Sequence, residues 1–332
     1  MEEALYGEGG YYATQAPRIG PAGDFITGSS LSTLFGASTA QLLERLAARL
    51  GGSVEMLEVG YGSGSHLAAV LEAADPAWLT RVLGWDRVAR PLPPGAQALT
   101  ELGEAAVQPI RGLVFSYELF DALPVHRLTR DEAGDWRELH VDVEKEGFDW
   151  VPRPLSRPDL PGLLGAEAST LEAGQIVDLA PGWRPLYRQL AESLGSGLLV
   201  TCDYGFVRRR LLDVRVRRHG TLACYRNQTV HRNPFVDVGS QDLTAHVDFT
   251  ALAREGEAAG LETIGLVSQA EWLGACGVFD GLAEADRAVR LEAARLLDPG
   301  GMGSDIRVLV QARGFDPVGL FDLELASPRL DG

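Results

Sequence analysis

Lysine is almost absent from this chain. Lys145 is the only one in 332 residues, and arginine carries every other basic side-chain charge. Basic residues as a whole are scarce, 30 Lys and Arg against 46 Asp and Glu, for a formal net charge of −16. Such a chain repels a phosphate polyanion, which excludes nonspecific nucleic-acid binding. Cysteine is scarce as well: Cys202, Cys224 and Cys276 lie far apart with no Cys-x-x-Cys pair. A disulfide framework or a metal centre is therefore not expected, and three buried thiols are. No apolar run approaches the roughly 20 residues of a membrane helix, so a spanning protein is not expected either. The 39 glycines have no strict period and 45% of the residues are hydrophobic, which excludes collagen-like and disordered chains. Met1-Glu2-Glu3 resembles neither a secretory signal nor an Arg-rich amphipathic presequence, and a cytoplasmic location is expected.

What is present alternates. Apolar spacings of three and four predict a helix from Thr39 to Leu50, stopped by Gly51-Gly52. A strand over Val54–Val59, a helix over Ser65–Ala74 and strands over Arg81–Trp85 and Gly112–Tyr117 follow. His126 to Pro154 alternates in places and reads as an antiparallel hairpin, followed by an irregular Pro-rich connection. A helix over 183–194, a strand over Gly197–Cys202, an arginine-rich loop from Val207 to His219 and a helix over Leu243–Gly260 come next. Two closing strands, Leu261–Val267 and Ile306–Ala312, flank a helix near 281–297. Strands alternating with helices predict an α/β, Rossmann-like fold: a mostly parallel, doubly wound sheet with an N-terminal extension and β-rich insertions. The expected divisions are an N-terminal flap and helix (1–50), a core (51–125 and 195–332) and an insertion (126–194). In such sheets ligands bind beyond the carboxyl ends of the strands.

The residues at those ends carry chemistry. Leu57-Glu58-Val59-Gly60-Tyr61-Gly62-Ser63-Gly64-Ser65-His66 joins the first strand to its helix. Alternate glycines allow a sharp turn and close approach of a ligand, and the helix start offers free N–H groups. A dinucleotide site needs G-x-G-x-x-G, but the third position is Ser65 counted from Gly60 and Leu67 counted from Gly62. The pattern E-x-G-x-G-x-G resembles instead the first motif of class I S-adenosylmethionine-dependent methyltransferases. That resemblance implies that Gly60, Gly62 and Gly64 make room for the amino-acid end of the cofactor and that Glu58 helps hold its ammonium. Asp86, 22 residues past Gly64 at the end of the second strand, is placed to accept hydrogen bonds from ribose hydroxyls.

Four further segments resemble the MidA family of methyltransferases, whose mitochondrial members act in respiratory complex I assembly. They are Gly10-Tyr-Tyr12 with Gly23-Asp-Phe-Ile-Thr27, Glu118-Leu-Phe-Asp-Ala-Leu-Pro-Val125, Asp203-Tyr-Gly205 and Asp242-Leu-Thr-Ala-His-Val-Asp-Phe249. With Met302-Gly303 they span nearly the whole chain in the family's order. The resemblance implies S-adenosyl-L-methionine as cofactor and, for the characterised mitochondrial members, protein arginine as methyl acceptor. The chain departs from the family at Tyr61, Ser63 and Ser65 in the glycine turn, at Tyr117 and Leu119, and at Ser30, where the family has an acid.

Methyl transfer from a sulfonium is an in-line displacement by a positioned nucleophile. A guanidinium acceptor is charged and delocalised, so carboxylates are needed to orient it and take its proton. Glu118 and Asp121, after the strand ending at Tyr117, are the candidates, Glu118 also touching the cofactor; their other reading is as cap and dipole partners of a helix start. His246 is a candidate proton relay, or a hydrogen-bonded structural residue beside a helix capped by Asp242 and Thr244. Asp24 and Thr27 are expected to line an N-terminal flap over the cofactor, or to sit in a loop anchored by Phe25 and Ile26. His66 reads as a surface or packing residue. The arginine run from Arg208 to Arg218 reads as a solvated loop or a clamp on an acidic partner. The expected partners are a protein substrate and a homodimer mate, with no nucleic acid and no membrane. The alternative to an enzyme is a cofactor-binding assembly or scaffold factor with little catalysis; an NAD-dependent oxidoreductase is disfavoured by the glycine spacing.

Overall fold

A computed structural model describes residues 1–14, 33–144, 147–227, 229–280 and 282–321. A short helix α1 (Glu2–Tyr6) precedes the long α2 (Thr33–Leu50). Then come β1 (Val54–Val59), α3 (Ser65–Ala73), β2 (Leu79–Trp85), β3 (Ala96–Ala98), α4 (Glu104–Val107) and β4 (Ile110–Tyr117). Strands β5 (His126–Arg130), β6 (Trp136–Glu144), β7 (Gly147–Arg153) and β8 (Val177–Leu179) follow, with a 3-10 segment (Leu160–Thr170) between the last two. Helix α5 (Trp183–Ser193) leads into β9 (Leu194–Phe206), α6 (Arg208–Leu211) and α7 (Val214–Arg217). Next are β10 (Ala223–Arg226), β11 (Thr229–His231), β12 (Asp242–Thr244), β13 (Val247–Asp248) and α8 (Phe249–Ala258). The chain closes with β14 (Glu262–Ser268), α9 (Gln269–Ala275), α10 (Arg287–Leu296), α11 (Met302–Asp305) and β15 (Ile306–Arg313).

The central sheet runs β14-β15-β9-β4-β1-β2-β3, with β13 also pairing β9. Strands β3, β2, β1, β4 and β9 are parallel, while β15 lies antiparallel between β9 and β14. From β1 the chain winds outward to β3, then returns to β4 on the other side. The crevice at the carboxyl ends of β1 and β4 is therefore the topological switch point, where ligands of such sheets bind.

Alternation along the strands splits the core between the two faces. Met56, Leu113, Phe115, Leu198, Val200, Val308 and Val310 face α2, which contributes Phe35, Leu42, Leu43 and Leu46. Leu57, Val59, Val114, Leu199 and Leu309 face the other way, toward Tyr187 and Leu190 of α5 and Leu252 of α8. Period-two side-chain direction with both faces covered explains the near-continuous apolar runs. Helix α5, assigned to the insertion by the sequence boundaries, thus packs on the core. Two smaller antiparallel sheets, β7-β6-β5-β8 and β11-β10-β12, complete the fold. Leu5 and Tyr11 pack against Cys224 and Leu243, so the first residues rest on the second of these. All three cysteines are buried thiols.

Several expectations need correction. Helix α2 starts at Thr33, not Thr39, because the hydroxyls of Ser38 and Thr39 donate to the carbonyls of Leu34 and Phe35 and satisfy a stretch that looked like loop. The expected hairpin is a three-stranded meander extended by β8. The helix expected from Leu243 begins at Phe249: Asp248, not Asp242 or Thr244, caps it by accepting the Ala251 N–H, while Asp242 and Thr244 lie in β12. The arginine-rich loop contains two helical turns, and Arg208 in the first is buried, its Nε 2.6 Å from Asp248. An ion pair across two segments far apart in sequence has no local signature.

Candidate active site

At the end of β1 the chain turns through Gly60, Gly62 and Gly64, with φ of 79°, 54° and 74°. Glycine adopts these left-handed angles freely, whereas an L side chain resists them. A Cβ built on Gly62 meets no atom of the described residues within 4 Å, so among them the turn faces open space there. The Gly62 N–H donates to Asp86 Oδ2 at 2.9 Å, and the other Asp86 oxygen accepts the Val88 N–H, also at 2.9 Å. Asp86 thereby ties the glycine turn to the loop after β2; burial pushes its carboxyl above the usual range. Tyr61, a departure from the family pattern, braces the same loop: its hydroxyl donates to the Arg90 carbonyl at 2.7 Å and accepts the Arg90 N–H at 2.9 Å.

Glu58 is buried beneath the turn. His66 Nδ1 lies 3.1 Å from Glu58 Oε1, and His66 Nε2 lies 3.1 Å from Thr39 Oγ1. His66 is thus a buried link between α2, α3 and β1, not a surface residue. Glu58 Oε2 is sealed from solvent with no hydrogen-bond partner among the described residues. A buried, unpaired carboxylate oxygen has an unmet need for a donor. Together with the open space at Gly62, it fits a ligand bearing an ammonium and approaching the turn closely.

Beyond β4 the backbone kinks sharply at Glu118, whose φ of 49° is left-handed for a residue that is not glycine. Such strain persists only where the surroundings over-determine it, and it collects at functional sites. Here Cys202 O accepts the Glu118 N–H at 2.9 Å, and Asp203 Oδ2 accepts the N–H groups of Leu119 at 3.2 Å and Phe120 at 2.8 Å. Asp203, at the end of β9, is the anchor of this turn, a role that sequence reasoning missed. Its signal was its place: an acid following a strand, like Asp86 and Glu118. Tyr117, the family departure just before the turn, donates its hydroxyl to Gln269 Oε1 at 2.7 Å in the core.

Four acids gather at this end of the sheet. Burial and the fields of Asp203 and Asp242 hold the Glu118 carboxyl well above the usual carboxylate range. Burial, then Asp203, Glu118 and Asp242, do the same to Asp121. Burial drives Asp203 up to about 7 against the backbone donors that favour its charge. Asp242 accepts the Tyr12 hydroxyl at 2.9 Å, so the N-terminal segment closes over the cluster. Tyr6 donates to the Ala122 carbonyl at 3.1 Å and stacks on Tyr12, and the Arg87 guanidinium lies 4.0 Å above its ring. Tyr204 and Tyr225 border the same acids, whose charges help raise both phenols. Among the described residues Glu118 Oε1 is buried without a partner, and no Arg, Lys or His pairs with Glu118, Asp121 or Asp203. No group of three or more His, Cys, Asp or Glu among the described residues is arranged to hold a metal ion.

His246 stands apart from this cluster. Its N–H donates to Thr221 Oγ1 at 3.1 Å, and its ring sits 5.3 Å from that of Phe206. Burial, with Arg217 and Arg232, pulls its pKa down to about 4, and among the described residues its hydrogen bonds and ring contacts run to Thr221 and Phe206, not to Glu118 or Asp121. The neighbouring Ala245 N–H does reach the Asp121 carbonyl, at 2.9 Å. Asp24 and Thr27, with Ser30, lie outside the described residues.

A glycine turn with an open side, an acid below it and an acid at the next strand end, set at the switch point of this sheet, define a Rossmann-like methyltransferase. Residues 96–267 match the family described as "Putative S-adenosyl-L-methionine-dependent methyltransferase", and the chain belongs to that family. A crystal structure from Burkholderia thailandensis, with S-adenosyl-homocysteine bound, superposes with a TM-score of 0.82 at 27% identity, covering 95% of this chain and 87% of that one. Among curated proteins, the protein arginine methyltransferase NDUFAF7, mitochondrial, of Xenopus tropicalis is 26% identical over 81% of this chain and 68% of its own length. Its Drosophila melanogaster homologue is 26% identical over 95% of this chain and 80% of its own. The protein is an enzyme, a divergent MidA-like methyltransferase that uses S-adenosyl-L-methionine. No helix among the described residues is long and apolar enough to cross a membrane.

Proposed function

We propose that the enzyme methylates arginine side chains of a polypeptide. One observation carries this reading: Glu118, Asp121 and Asp203 form a buried cluster of carboxyl groups with no basic partner among the described residues. A cluster whose members hold protons chiefly through burial and mutual repulsion gains most from a cation inserted among them. Tyr6, Tyr12, Tyr204 and Tyr225 add aromatic surface suited to a planar guanidinium. The names of the curated relatives support the same acceptor.

In this reading Glu58 takes the ammonium of the bound cofactor on its free oxygen, Asp86 meets its ribose, and Gly60, Gly62 and Gly64 let it lie against the turn. The cofactor supplies an activated methyl group on a sulfonium. Glu118 and Asp121 accept N–H bonds from the guanidinium, concentrate its charge on the nitrogens they hold and free the third for in-line attack. The attacking nitrogen loses one proton as its C–N bond forms, and the product remains a monocation. A carboxyl group whose pKa burial holds above the usual range accepts that proton more readily than an ordinary carboxylate. Asp203 keeps the Glu118 turn in its strained shape, and Tyr12 on Asp242 closes the pocket to water.

The test is transfer of labelled methyl groups to peptides with one arginine, against matched lysine and glutamine peptides. Labelling of the arginine peptides alone is expected; labelling of another side chain alone would overturn the assignment.

A further inference from the structure

Next to the acidic cluster lies its electrostatic opposite. Helix α7, the Gly220–Ala223 stretch and the turn after β11 enclose a cavity of about 320 Å³, lined by Arg217, Arg232, His231, His246, Tyr225 and Thr221. In the arginine run, Arg208 is spent on Asp248, Arg215 on Asp213 and Arg218 on Glu172. Arg217 is different. Its guanidinium lies 4.0 Å over the Phe206 ring and donates to the Arg210 carbonyl at 2.9 Å, and Arg210 covers that ring as well, at 4.8 Å. Among the described residues neither Arg217 nor Arg232 has a carboxylate within ion-pair distance. Burial and Arg210 lower the Arg217 pKa, burial and both arginines lower that of His246, and the His246 Nδ1 is buried with no partner among the described residues. In a chain of net charge −16, a hollow holding unpaired positive charge and a spare ring nitrogen is built for an anion.

Tyr225 joins this cavity to the acidic site. It lines the hollow, stands opposite Asp242 in the β10–β12 ladder, and feels the charges of Asp121, Glu118 and Asp242, which with burial push its phenol up to about 12. A guanidinium held by Glu118 and Asp121 therefore has a cationic hollow on the other side of one tyrosine. We infer that this cavity is a subsite for a side-chain carboxylate of the acceptor polypeptide, within a few residues of the methylated arginine. The inference rests on the arginine reading and narrows it to arginines in acidic surroundings. The overall negative charge of the enzyme repels such a segment at long range, so the contact must supply selectivity at short range.

The test uses blocked heptapeptides with one central arginine and either glutamate or glutamine two positions away, at saturating S-adenosylmethionine. The glutamate peptide is expected to show a KM about tenfold lower at equal kcat, the worth of one charge-assisted hydrogen bond. Arg232→Gln, at an exposed position, should erase that preference while leaving the glutamine peptide's constants in place; Arg217→Gln should act likewise. A second measurement needs no turnover: the His246 ring protons, assigned by their loss in His246→Gln, should shift on adding an arginine-free glutamate peptide and not its glutamine twin. Equal KM values with no His246 shift would overturn the subsite while the arginine reading stands. A glutamate-specific shift without labelling of any arginine peptide would leave the subsite and remove the arginine acceptor.

Discussion

Replacing Gly62 by alanine separates a glycine kept for its backbone from one kept for its ligand. At φ of 54° the added Cβ strains the left-handed backbone by about 1–2 kcal/mol. It touches no atom of the described residues, none of which lies within 4 Å of its position. Against a stability of roughly 5–15 kcal/mol the variant should fold and melt only a few degrees lower. A methyl group in the space proposed for the cofactor would have to displace it, and we expect S-adenosylhomocysteine to bind at least tenfold more weakly, about 1.4 kcal/mol. Gly134 in the β5–β6 turn provides a matched control: its φ is 86° and a Cβ there also meets nothing within 4 Å, but it lies away from the crevice. Isothermal titration of Gly62→Ala and Gly134→Ala, with a melting curve for each, makes the comparison. Similar melting losses with affinity lost only at Gly62 would support the site. Equal affinities in the two variants would refute it.

Glu118→Gln and Asp121→Asn should each slow methyl transfer by about 10²–10⁴. Each should also raise the melting temperature, because one of several mutually repelling buried acids is gone; unchanged labelling would remove that residue from the mechanism. The rate should rise with pH as Glu118 and Asp121, both held well above the usual carboxylate range by burial and neighbouring acids, lose their protons and can hold a cation. Stability of the free enzyme should move the opposite way. Between about 4 and 7 the folded Asp203 binds a proton that the unfolded chain releases, so folding weakens as pH rises across that window, by up to about 4 kcal/mol. Melting curves from pH 5 to 8 check this, and a flat profile would contradict the shift. Tyr117→Phe, which leaves Gln269 Oε1 without its buried donor, should cost about 1–2 kcal/mol and leave S-adenosylhomocysteine affinity unchanged.

Much of the site was legible because it is local. The glycine turn and Glu58 are contiguous in sequence, and Asp86 and Glu118 follow strands whose apolar runs announce them. The strand-then-helix rhythm sufficed for the doubly wound sheet. The boundaries that slipped did so where local signals conflict with tertiary ones. The serine and threonine content at the start of α2 reads as loop until their hydroxyls find backbone carbonyls. The Asp-x-Thr signal at Asp242 reads as a helix start until β12 takes those residues into the ladder with β10.

By itself, the sequence determined the fold class, the place of the ligand crevice and the kind of cofactor, because periodicity and glycine spacing act over a few residues and survive without their surroundings. Tertiary structure alone decided the charge landscape. It brought Asp203 and Asp242 to Glu118 and Asp121 from 82 to 124 positions away, buried His66 against Glu58, and paired Arg208 with Asp248 while leaving Arg217 with no acid in ion-pair distance among the described residues. Coulomb interactions depend on distance through space and on burial, and neither is written in the order of residues along the chain.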